Sequence, residues 1–466
     1  LLHTVLFLLV SLLAVATVKP VIDDSGLVSD IRPEGEKPFK EPDRGVFENL
    51  VEIDHPEEVP NPILLHEPAE LDDHNETANN MDDNSARGSE KALSDIPLGK
   101  TGVVAVLGVG PGEPCGSFGY RDRGGRKRAV AHFGGSRLTE TAVERALAWL
   151  SRHQEKDGGW DAARWEASMK TDAGVTGLAL LAYLGAGYTE KSPKYGTVVR
   201  KATAWIVKQQ ADDGAIGRGM EGTEPNGVGY HHAICGLALA EAYGMSENAA
   251  LRGPAQKAAD YSVKVHQKPG SGWRYRPGTE ADLSVTGWFV MQIKSARVAG
   301  LSVPGSAMQG AMAFTDSASD QYGRCRYKAD WLTPNSTMTS VGMLVRLYGG
   351  CRPGDPKVSG GANYLLKDLP VWGEHGNGVN FYYWYYGAMT TFQVGGETWK
   401  KWNAAMTEAL VPNQRADGPK DGSAADVHGS WDPVGTWCTR GGRAYSTAVG
   451  ALCLEVYYRY LPIYGK

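Results

Sequence analysis

The sequence predicts an all-α fold, a ring of about six helical hairpins over residues 138–466. Three observations predict it. A short apolar run opened by a glycine recurs at Gly177, Gly236, Gly287, Gly342, Gly387 and Gly450, with spacings of 59, 51, 55, 45 and 63 residues. Such a period holds two helices and two loops. A turn of the form Gln-x-x-Asp-Gly recurs at a fixed offset of 56, so that Trp149, Gln154, Asp157 and Gly158 return as Trp205, Gln210, Asp213 and Gly214. All 13 tryptophans lie at or beyond Trp149, which confines the large apolar side chains of a core to this part of the chain.

Residues 1–18 form the one long apolar stretch, and Ala14-Val15-Ala16 gives it a small-x-small cleavage pattern. The expectation is a signal peptide, with an uncleaved anchor as the alternative, and therefore an exported, periplasmic or cell-envelope protein. Residues 19–100 read as an acidic disordered segment. Within 19–98 there are 21 acidic and 7 basic side chains, no Trp and no Cys, too little apolar surface to offset the entropy of ordering. Their net charge of −14, against −5 for the whole chain, leaves +9 on the rest. That is too mild for a nucleic-acid footprint. Residues 101–137 read as a Gly/Arg-rich linker carrying Arg121, Arg123, Arg126, Lys127 and Arg128.

Each repeat begins with an amphipathic outer helix. The first runs over 140–154, with Ala142, Ala146, Trp149, Leu150 and His153 on one face and Thr139 or Thr141 as its cap. In the turn that follows, glycine permits a positive φ, the Gln amide can bond freed backbone groups, and the Trp packs the turn on its neighbour. These roles are structural. An inner helix then carries the glycine-led run. Cys235 and Cys453 lie inside apolar runs, as small buried hydrophobes do. Export would permit a disulfide among the others, with no pairing set by sequence.

On Gln154-x-x-Asp157-Gly158-Gly159-Trp160 and its degenerate copies, the chain resembles the terpene cyclase and protein prenyltransferase superfamily, whose squalene-hopene cyclases carry QW motifs. The resemblance covers residues 138–466. It implies an (α/α)6 toroid with six inner helices around a funnel and six outer ones. Within the superfamily the likeness is nearest to exported bacterial proteins abundant in planctomycetes. The segments Asp282-Leu-Ser-Val-Thr-Gly-Trp288, Tyr383-Trp-Tyr-Tyr386 and Glu455-Val-Tyr-Tyr-Arg-Tyr-Leu-Pro462 carry that likeness, and it implies no particular activity.

The residue five before each aligned glycine is expected to open its inner helix: Asp172, His231, Asp282, Thr337, Tyr382 and Tyr445. In a closed ring these would share one level at the mouth, where helix dipoles favour anions. Asp172 and Asp282 suit helix capping. They also suit proton chemistry with His231, and the resemblance to class II cyclases places Asp282 on the acid of their Asp-x-Asp-Asp motif. Leu283 stands where that motif ends in Asp. Asp172, His231, His232 and Asp282 offer oxygen and nitrogen atoms, but such residues are more often hydrogen-bonded than metallated, so neither metal nor cofactor is expected. Tyr382, Tyr386, Tyr445, Trp288 and His232 are the candidate ligand-binding residues.

The leading expectation is thus an exported toroid that binds an apolar, isoprenoid-like or peptide ligand in its funnel without the full cyclase chemistry. The alternatives are a class II terpene cyclase or mutase with Asp282 as general acid, and a glycan-binding or glycan-cleaving toroid. The expected partner is an apolar small molecule or an extracytoplasmic protein. Membrane association is expected only through residues 1–18.

Overall fold

Helices that are apolar all round alternate along the chain with helices apolar on one face, and that alternation sorts them into two layers. The computed structural model describes residues 118–460, apart from 119, 122, 219 and 221–226. The expected signal peptide or anchor, the acidic segment and the start of the linker lie outside the described residues. All described residues belong to one unit of the chain.

The inner layer consists of α3 (Asp172–Gly185), α5 (Val228–Ser246), α7 (Leu283–Val298), α9 (Ser336–Tyr348), α11 (Phe381–Val394) and α13 (Cys438–Leu454). In α3 every residue after Asp172 is buried. Each inner helix packs on the next, and α13 packs on α3, so the ring closes. The outer layer consists of α2 (Arg137–Arg152), α4 (Gly196–Lys208), α6 (Ala249–Asp260), α8 (Gly305–Ser317), α10 (Pro356–Leu365) and α12 (Gly396–Leu410). Outer helix α4 lies on α3 and α6 on α5, while the first outer helix, α2, lies on the last inner helix, α13. The two ends of the repeat region thus make one hairpin. This is the α/α toroid that the repeat pattern predicts.

Glutamine side chains bracket the outer layer. Gln154 Nε2 donates to Gly158 O at 2.9 Å in its own turn and to Val198 O at 3.0 Å on the next outer helix. Gln210 does the same with Gly214 and Pro254, Gln267 with Ser271 and Ala307, and Gln414 with Gly429 and Ala142. The Gln414 bracket spans the closure, joined there by Arg152 Nε on Asp426 Oδ2 at 2.6 Å and Trp149 Nε1 on Asp426 O at 2.7 Å. Gly158 has φ +103, and a Cβ there would collide with the Lys201 carbonyl of the next outer helix, so only glycine serves.

Two local expectations differ from the structure. Helix α2 starts at Arg137 and is capped by Ser136, which forms a capping box with Thr139; Thr139 serves from the third helical position. The part of 101–137 nearest the ring is also ordered. Helix α1 (Arg123–Phe133) packs with the short helix α14 (Val456–Arg459), and Phe118, 4% exposed, lies against Gly244 at the end where the inner helices finish. Arg121 Nη1 meets Glu241 Oε2 at 2.7 Å, and Arg459 Nη2 reaches Glu241 Oε1 at 3.0 Å, all three side chains buried. A charged residue inside a glycine-rich run reads as solvated, and only its partner on α5 shows otherwise. Cys235, Cys325, Cys351, Cys438 and Cys453 are free. No helix among the described residues is long and apolar enough to cross a membrane.

Candidate functional site

The mouth of the ring is built by the first turns of the inner helices. Three of them open on a capping side chain. Asp282 Oδ1 accepts the Val285 N–H at 2.9 Å, Asn335 Oδ1 that of Met338 at 2.8 Å and Asn380 Oδ1 that of Tyr383 at 3.0 Å. Asp172 instead accepts the Ala162 N–H at 3.0 Å. It is half-buried, and burial raises its carboxyl.

A second set of bonds fixes the register. The turn N–H groups of Trp160, Trp273, Cys325 and Trp431 donate to the hydroxyls of Thr176, Thr286, Thr339 and Thr447, and Ile216 N–H donates to His232 Nδ1. Two residues before each of these side chains, or two after the Asn380 cap, stand Gly174, Tyr230, Ser284, Thr337, Tyr382 and Tyr445. That set, rather than the residues five before each glycine, forms one level. The aligned glycines are not equivalent. A Cβ on Gly177 or Gly236 would meet the next inner helix, whereas one on Gly387 or Gly450 would meet Trp402 or Trp431 of the outer layer.

Tyr230, Tyr382 and Tyr445 each keep part of their accessible surface. The rest of α11 up to Gln393 is buried, as is all of α13 from Gly441 apart from Tyr445. These phenols therefore stand out as partly accessible side chains among the buried residues of the inner layer. Burial raises the pKa of each.

The phenols converge on Ser284. Its Oγ donates to Asp282 Oδ1 at 2.6 Å and receives the Tyr230 hydroxyl at 2.7 Å. Tyr382 crosses from α11 to donate to Ser284 O at 2.8 Å. Below this level Trp288 contacts Tyr382, Tyr385 and Tyr386 across the ring, with centroids 5.7 to 6.4 Å apart. The Tyr445 hydroxyl makes no hydrogen bond among the described residues.

Asp282 is fully buried. Burial pushes its carboxyl up to about 6, against the opposing effects of the Ser284 and Val285 hydrogen bonds, the Arg274 charge and the Tyr327 hydroxyl. Oδ2 has no hydrogen-bond partner. Nearby, Tyr275 and Tyr327 share a 2.6 Å hydroxyl–hydroxyl bond.

The structure separates the other predicted residues. His231 lies against Gly174 of α3, 3% exposed, with Nδ1 unpartnered; burial lowers its pKa to about 4. No hydrogen bond joins it to Asp282. His232 points outward, with Nε2 2.8 Å from Ser262 Oγ, and is fully buried. Trp288 and Tyr386 belong to the buried aromatic stack. Among the described residues no group of three or more His, Cys, Asp or Glu side chains could hold a metal ion.

Sequence reasoning missed Tyr230 and Ser284. The signal for Tyr230 was present: the offset of 56 that relates the outer helices carries Gly174 onto Tyr230.

No protein-family model matches the chain, and no curated protein matches it. Among solved structures, the chain is similar to type II terpene cyclase MstE from Scytonema in complex with geranylgeranyl dihydroxybenzoate, its substrate. The identity is 15%, the match covers 69% of this chain and 97% of that one, and the TM-score is 0.47. It is also similar to a protein from Actinoplanes, at 18% identity over 68% and 99% of the two chains with a TM-score of 0.44. A third structure is an α-1,6-mannanase of Salegentibacter in complex with α-1,6-mannotetrose, at 8% identity over 69% and 99% with a TM-score of 0.45.

Proposed function

We propose that the ring binds an elongated apolar small molecule of isoprenoid type in its axial chamber and that Asp282 serves as a structural cap. The observation that carries this reading is the set of partly accessible phenols, Tyr230, Tyr382 and Tyr445. Aromatic faces supply apolar contact, and the unpartnered Tyr445 hydroxyl offers one hydrogen bond to a ligand. Asp282 resembles Asn335 and Asn380 in position and bonding, which supports the capping role over an acid.

The test is mass spectrometry of organic extracts of the purified protein, followed by tryptophan-fluorescence titration with geranylgeraniol. A co-purifying apolar molecule and saturable quenching are expected. Tyr445→Ala should weaken binding by about tenfold, or ~1.4 kcal/mol. A clean extract together with no quenching would rule the reading out.

A second reading rests on Asp282 Oδ2, buried, unpartnered and on a carboxyl raised to about 6. A proton held there could be given to an alkene. Incubating the protein with geranylgeraniol or squalene tests it: a cyclised product that disappears in Asp282→Asn would establish the acid.

Residues 1–18 support a further proposal, that the protein acts outside the cytoplasm. An alkaline phosphatase fused after residue 40 should be active; an inactive fusion would refute export.

A further inference from the structure

The ring of inner helices has a second end. Lys294 near the end of α7, Tyr348 at the end of α9 and Tyr460 keep part of their accessible surface. Lys294 follows Ser284 by ten residues on one helix, which places it about 15 Å further along the axis at 1.5 Å per residue. Its ammonium lies over the Tyr348 ring, 5.8 Å from the centroid, and makes no ion pair or hydrogen bond among the described residues.

Among the described residues no free carboxylate at this end offsets it. The Glu241 carboxylate is taken by Arg121 and Arg459. Glu455 is held protonated, its carboxyl pushed up to about 8 by burial. Burial, and then the charge of Arg297, push Lys294 down to about 7. A desolvated ammonium without a counter-charge lowers stability, and a side chain kept at that cost suits a ligand that brings the missing charge. The Tyr348 face adds attraction for the cation but cannot neutralise it.

We infer that Lys294 receives the anionic end of the apolar ligand, a carboxylate or a phosphate, about 15 Å below the Ser284 level; this rests on the chamber binding an apolar molecule, as proposed above. The ligand is then an amphiphile with its apolar body against Trp288 and the phenols.

The experiment titrates the full chain and its Lys294→Met variant with three probes of equal length, farnesol, farnesoic acid and farnesyl phosphate, followed by calorimetry. The wild-type protein should bind one or both anions at least about tenfold more tightly than the alcohol. Whichever anion gains more identifies the head group. In Lys294→Met this advantage should vanish while farnesol affinity is unchanged. The variant removes an unpaired buried charge, so it should melt no lower than wild type, and Lys294→Gln gives a second reading of the same loss. Farnesol binding with no anion advantage, or an advantage that survives both variants, overturns the assignment of Lys294 and leaves the chamber standing. Absence of binding by all three probes overturns both.

Discussion

Asp282 holds the first turn of α7 and the Ser284 hydroxyl through a single oxygen and keeps the other dry. Because burial raises its carboxyl from 3.8 to about 6, the folded protein binds this proton more tightly than the unfolded chain. The contribution to stability is therefore present in full below about pH 4, falls as pH rises to about 6 and is flat above. The shift corresponds to roughly 3 kcal/mol. Asn keeps the cap and cannot ionise. Urea denaturation at pH 4, 5, 6 and 7 should show Asp282→Asn gaining on wild type by up to roughly 3 kcal/mol across that range. A difference independent of pH would mean the carboxyl is not raised. Asp282→Ala, which loses the cap, should be less stable than Asp282→Asn by about 1 kcal/mol at every pH. At this scale the sequence showed Asp172, Asp282, Tyr382 and Tyr445 through their place before a repeated run. It could not separate His231 from His232, which successive 100° steps around one helix send to α3 and to the outer layer. Lys294 carries no signal at all, since its meaning lies in partners it lacks.

The outer layer depends on side chains that bridge elements. Each bracketing Gln bonds two carbonyls, one in its own turn and one on the next outer helix, and so ties neighbouring hairpins together. Gln210→Ala should therefore cost about 1–3 kcal/mol in chemical denaturation. Gln210→Glu should cost at least as much, since a carboxylate would face the Gly214 and Pro254 carbonyls. A neutral result for both would mean that water replaces the amide. The same glutamines made the hairpins legible from sequence, because an amide followed by Asp-Gly has a mechanism at a helix end. The inner helices were less legible. Their glycines pack against whatever neighbour comes close, an inner helix at Gly177 and Trp402 at Gly387, so glycine spacing tracks packing and not register. Register is set by the turn-to-hydroxyl bonds at Thr176, Thr286, Thr339 and Thr447, and threonine in an apolar run gives no such warning.

For the molecule as a whole, closure and sealing are the two conditions for a chamber. Closure is local to the repeats, since Gln414 and Arg152 join α2 to the last repeat. Sealing comes from outside them. Phe118 and Arg121 pack at the end where the inner helices finish, and Arg121 shares Glu241 with Arg459. Helix α1 is tied on by Trp399 Nε1 to Phe133 O at 2.8 Å and by Arg126 Nε to Glu140 Oε2 at 2.6 Å. The folded unit therefore extends at least to residue 118, and a boundary at residue 138 removes part of it. Two chains, beginning at residues 118 and 137 and both ending at 466, separate the possibilities. The shorter leaves Glu241 with one of its two guanidinium partners and opens the Phe118 contact on Gly244. It should be less stable by about 3–5 kcal/mol, the cost of losing a buried phenylalanine side chain. Adding Glu241→Gln to the shorter chain should lower its stability further, because Arg459 then loses its carboxylate. In the longer chain the same substitution should destabilise, since it leaves Arg121 and Arg459 buried without their carboxylate. Equal melting of the two chains would mean that Arg459 alone satisfies Glu241 and that the seal contributes nothing to the fold.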